Sequence, residues 1–75
     1  MVQFSNITNK AYDDSACVFF RNYVQAAYYI EWGAILVDLF VDSEHKLVFV
    51  FNKADHEKFK LRWGTKNKEY FENKK

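Results

Sequence analysis

The sequence predicts an α+β domain in which an N-terminal helix packs on an antiparallel β-hairpin and one or two short C-terminal helices follow. Three observations predict it. An apolar stripe at three- and four-residue steps precedes Gly33, two apolar runs of strand length flank a polar turn, and a charged C-terminal part carries scattered aromatic residues. A three-stranded meander is the alternative, with the segment around Lys58 supplying the third strand.

Residues 1–10 set Asn6, Thr8 and Asn9 among the isolated apolar side chains Val2, Phe4 and Ile7. They read equally as a short docked strand or a flexible arm. The helix is expected over about Asp14 to Trp32, because Phe19, Phe20, Tyr23, Ala27 and Ile30 recur at helical spacing. Asp13, Asp14 and Ser15 stand where capping side chains belong, and Gly33 is the stop in a chain without proline. The bland meaning of the aromatic stripe, packing on a sheet, outweighs any cofactor role.

The first strand alternates Ile35, Val37, Leu39 and Val41 against Leu36, Asp38, Phe40 and Asp42. The second sets Leu47, Phe49 and Phe51 against Val48 and Val50, and the residues from Asp42 to Lys46 form a turn of hairpin length. Apolar residues thus occupy both faces of both strands. One face receives the helix. The other keeps Leu36, Phe40, Val48 and Val50, the expected protein interface. Two strands alone are marginal in water, so pairing of two copies into a homodimer with a four-stranded sheet is expected.

Size supports that expectation. A chain of 75 residues makes a single small domain, and at this size folding buries only about 60% of the unfolded surface. The lone Cys17 cannot form an internal disulfide. Aromatic residues, 20% of the chain, are the remaining means of burying area, and fifteen rings exceed what so small an interior hides.

The segment from Lys58 to Trp63 is ambiguous, since basic and apolar residues alternate as in a strand while Phe59 and Trp63 lie four apart as on a helix. Residues 67–75 form a short terminal helix whose tip, 72–75, frays.

At this point the pattern Ala27-Tyr28, Gly33, a β-run, Val48-Phe49-Val50-Phe51, Trp63-Gly64 and Lys68 with Tyr70-Phe71 resembles a family of short, functionally uncharacterised proteins of phages and mobile elements of Gram-positive bacteria. The likeness spans about Ala26 to Phe71. It implies that Ala54 to Trp63 is helical. It also implies a non-enzymatic role, the modulation or inhibition of a host protein in defence or nucleic-acid metabolism. No catalytic residues come with it.

The residues by themselves offer no catalytic set, cofactor site or metal site. His45 and His56 lack Cys or His neighbours at ligand spacing, and Cys17 has no histidine near it in sequence. Asp38 and Asp42 flank Phe40 on one strand face, where guarding a strand edge is the simpler role than acid–base chemistry. Gly33 and Gly64 are the only glycines, too few for a phosphate loop.

Net charge is +1, with basic residues concentrated from Lys53 onward. The set Lys58, Lys60, Arg62, Trp63, Lys66 and Lys68 therefore carries the alternative function, single-stranded nucleic-acid binding by phosphate contacts and stacking. Its bland counterpart is a solvated helix face, diluted by Glu57, Glu69 and Glu72. No apolar run is long enough for a membrane span, and a free cysteine fits a reducing compartment, so the cytoplasm is expected, that of the host cell for a phage-borne protein.

Overall fold

In the computed structural model, which describes residues 1–73, strands come first. Strand β1 (Val2–Phe4) pairs antiparallel with β2 (Ala11–Asp13). A 3-10 turn (Asp14–Ala16) leads into β3 (Cys17–Phe20), and helix α1 (Tyr23–Glu31) follows. Strands β4 (Leu36–Val41) and β5 (Leu47–Asn52) then run directly into helix α2 (Lys53–Asn73). The second sheet is antiparallel throughout, in the order β3-β5-β4.

The protein is therefore α+β, but the expected N-terminal helix is corrected, and the choice left open for residues 1–10 falls to a strand. Residues 1–10 form a strand and a tight turn closed by Ser5 N–H to Lys10 O at 3.0 Å. The expected helix from Asp14 begins only at Tyr23, since Cys17 to Phe20 extend to pair with Phe49 to Asn52. Four consecutive residues of high β-propensity, Cys17-Val18-Phe19-Phe20, meet an open edge of β5, and ladder pairing prevails over helical spacing.

Capping chemistry survives with a new owner. Asp13 caps the 3-10 turn by accepting Ser15 N–H, and Asn22 caps α1 by accepting the N–H groups of Val24 and Gln25. Gly33, at φ +107°, ends α1 in a conformation that a side chain disfavours.

A β-bulge between Leu36 and Asp38 decides which side chain faces where. Leu36 pairs with Phe51 and Leu39 with Phe49, while Asp38 pairs with Val50 and Phe40 with Val48. Direct partners share a face. The strict alternation expected of β4 is broken, and Leu36 moves from the outer face to the helix side.

On the helix side the core is Ala26, Tyr29, Ala34, Phe51 and Phe59, with Phe20, Trp32 and Trp63 packed around them. Tyr29 and Phe51 are fully buried. Tyr29 meets Phe20 edge-on at 5.3 Å and Phe51 at 5.6 Å. Its hydroxyl is paired with His56 Nδ1 at 2.9 Å, which satisfies the one polar atom buried with the ring.

The one or two short C-terminal helices are in fact a single helix of 21 residues, about 30 Å long. It contains the alternating segment from Lys58 to Trp63. Gly64 lies within it because an interior glycine costs a helix only about 1 kcal/mol, and no proline is present to end it. Residues 74 and 75 of the expected frayed tail, and the side chains of Tyr70 and Phe71, lie outside what the structure describes. Among the described residues, no helix is long and apolar enough to cross a membrane.

Candidate binding cleft

The outer face of the sheet is covered in part by the β1–β2 hairpin. Tyr12, Val37 and Phe40 pack against the buried Cys17, Val48 and Val50. One carboxylate joins hairpin to sheet. Asp38, on the outer face with Phe40 and 3% exposed, accepts Asn6 N–H and Leu39 N–H at Oδ1, each at 2.8 Å. Its Oδ2 accepts the Tyr12 hydroxyl at 2.7 Å. Asn6 Nδ2 also donates to Leu39 O at 2.9 Å, and Ser5 Oγ donates to Val37 O at 2.6 Å.

Local sequence explains how the hairpin reaches these groups. Ser5 Oγ accepts the N–H groups of Ile7 and Thr8, and Asn9 takes a left-handed conformation at φ 61°, as asparagine does more readily than most residues. The tight turn then presents Ser5 and Asn6 to the backbone of β4. Two exposed carbonyls of an edge strand are thereby occupied.

Burial pushes the Asp38 carboxyl upward, but hydrogen bonds from Tyr12, Asn6 and Leu39 outweigh it and hold the group below the usual carboxylate range. Asp38 is thus ionised. Burial, reinforced by the bond to Asp38, drives the Tyr12 phenol well above its ordinary value.

Between hairpin and sheet lies a cleft of about 380 Å³. Phe4, Phe19, Phe40 and Tyr12 form its aromatic walls, with Asp38 and Asp14 contributing carboxylates. Phe19 and Phe40 meet edge to face at 6.3 Å. Phe4 and Phe19 stand 73% and 46% exposed, far more than the core rings Tyr29, Phe51 and Phe59.

The four residues expected in an interface separate. Leu36 packs into the helix-side core, Val48 and Val50 are buried under the outer cluster, and only Phe40 lines the cleft. The chain itself covers the valines because the hairpin, which the sequence left open as arm or strand, lies on them through Tyr12.

The basic residues separate as well. On a helix two residues apart means about 200° of rotation, so Lys58 and Arg62 share a flank that Lys60 does not. Arg62 stacks on Trp32 at 4.6 Å, Lys58 lies over Phe59 at 5.4 Å, and Lys60 is paired with Glu57 at 2.6 Å. Trp63 turns inward against Tyr28, at 5.9 Å, so its ring is partly engaged in packing. Lys66 and Lys68 continue along the exposed part of α2.

Cys17 is buried, and burial together with the nearby Asp13 and Asp14 raises its thiol pKa, the opposite of what a nucleophile needs. His45 lies exposed in the β4–β5 turn and His56 is held by Tyr29. Among the described residues no group of three His, Cys, Asp or Glu side chains gathers as metal ligands.

Sequence reasoning missed Phe4, Asn6, Tyr12 and Phe19 as site residues. The available signal was Asp38, a lone carboxylate in an otherwise apolar strand, which needed donors from elsewhere in the chain. No family model matches the chain, and neither does any curated protein or solved structure.

Proposed function

We propose that this protein acts by binding, with no reaction of its own, and that it holds a partner protein through the cleft between the N-terminal hairpin and the sheet. The observation that carries the reading is the exposure of Phe4 and Phe19 beside a cleft in which Asp38 is held by hydrogen bonds from Asn6, Leu39 and Tyr12. Exposed aromatic rings around a preformed depression are the usual makings of an interface anchor. The resemblance drawn from the sequence would make the partner a host protein of defence or nucleic-acid metabolism, and this protein its modulator or inhibitor.

Photo-cross-linking tests the reading. With a benzophenone amino acid in place of Phe19, a discrete adduct should form in host lysate. Excess unmodified protein should suppress it, and excess Phe4→Ser/Phe40→Ser protein should not. Equal suppression by both would remove the cleft from the interaction. If Lys60→Glu/Arg62→Glu protein is the one that fails to compete, and short single strands bind with steep salt dependence, nucleic-acid binding through α2 replaces the proposal. An adduct with a second copy of the chain would make the partner a homodimer subunit, which sedimentation would show independently.

A further inference from the structure

We propose that the cleft receives one positively charged side chain, a lysine or arginine of the partner polypeptide, held between the aromatic rings above the Asp38 carboxylate. This rests on the cleft being the binding site. Three features converge on that occupant.

The first is size. A cleft of about 380 Å³ is near the lower end of ligand pockets, which run from roughly 300 to 1,000 Å³. It suits a single long side chain better than a large cofactor. The second is the wall. Phe19, Phe40 and Phe4 line the cleft, and aromatic rings attract an ammonium or guanidinium group through their negative π faces.

The third is charge. Asp38 is surrounded by three hydrogen-bond donors, all of them neutral, so its negative charge is solvated but not cancelled. None of the ion pairs among the described residues includes it. A carboxylate offers about four acceptor positions, and one is left over after Asn6, Leu39 and Tyr12 are served. Asp14, on the same wall, adds a second carboxylate whose own partner is the Met1 amino group at 2.9 Å. An anionic ligand would face repulsion from Asp38, whereas a cation balances it; Asp14 is already neutralised by the Met1 ammonium.

Titration by ¹⁵N NMR tests the proposal with Nα-acetyl-lysine methylamide, its arginine counterpart and the uncharged norleucine counterpart as probes. The amides of Asn6 and Leu39 are the reporters, because both donate to Asp38 Oδ1. The two cationic probes should shift them saturably and bind roughly tenfold more tightly than norleucine. Phe19→Leu/Phe40→Leu should weaken the cations several-fold while leaving the reporter bonds intact, and Asp38→Asn should abolish the preference for charge. Should Asp38→Asn loosen the hairpin, the double leucine variant alone decides the matter.

Equal affinity for norleucine, shifts confined to other parts of the molecule, or no saturable shift with any probe would each overturn the inference. A cross-linked partner at position 19 together with equal norleucine affinity would retire the cation and leave the binding reading standing. Tight cation binding with no partner captured would do the reverse.

Discussion

The two faces of the three-stranded sheet are held by different physics. On the helix side, Tyr29, Phe51 and Phe59 bury area against Phe20, Trp32 and Trp63, with one hydroxyl–imidazole bond at the centre. On the outer side, a two-stranded hairpin is held down by Tyr12 packing and by donors converging on a single carboxylate. Area burial is insensitive to pH and spread over many residues. A hydrogen-bonded hub is sensitive and concentrated, so the outer layer is expected to open first.

The largest effect should come from the helix side. Tyr29→Ala removes a fully buried ring and is expected to cost about 3–5 kcal/mol. A domain of this length has roughly 4–11 kcal/mol in all, so urea denaturation followed by circular dichroism should find it marginally folded or unfolded. A loss below about 1 kcal/mol would mean that the aromatic layer is not the principal core.

Asp38→Ala should cost about 2–3 kcal/mol by leaving Tyr12, Asn6 and Leu39 without their acceptor. The loss should be local. Amide exchange of Asn6 is expected to accelerate well before that of Phe51, and proteases should cut within residues 1–13 while the rest persists. Simultaneous loss of protection in both layers would show that the two faces are one cooperative unit.

Acid sharpens the same distinction. Because the folded-state pKa of Asp38 lies below its unfolded value of about 4, its contribution is complete above that pH. It disappears as pH falls through the depressed folded value, the unfolded chain binding its proton first. Asp38→Asn should therefore flatten the acid limb of a stability–pH curve. At the alkaline end the sign reverses for Tyr12. Its raised pKa contributes fully below about pH 10 and is lost as pH climbs toward the folded value, an effect that Tyr12→Phe should erase.

The smallest expected change touches neither face. Asn22→Ala removes the cap of α1 and should lower stability by about 1 kcal/mol, read as a small shift in the urea midpoint with the slope unchanged.

Parts of this architecture were legible in the residues. The β4–β5 hairpin follows from its two apolar runs around a polar turn, and Gly33 marked the end of α1. The helix assignment of Cys17 to Phe20 failed because its spacing is compatible with a helical stripe, and only β5, some thirty residues on, makes a strand more favourable. The cleft was less legible still. Phe4, Tyr12 and Phe19 come from three strands, and no local period relates them.

What this sequence determined alone is therefore local: a strand pair, a helix stop, side chains able to cap, and too many rings for one small interior. Tertiary structure decided which rings stay outside. The bulge in β4 turns Leu36 to the helix side, Asp38 on the outer face recruits Asn6 and Tyr12, and the hairpin they belong to covers Val48 and Val50 while leaving Phe4 and Phe19 in water. A buried carboxylate must find donors wherever the chain can supply them, and that requirement acts across the whole fold rather than between neighbours in sequence.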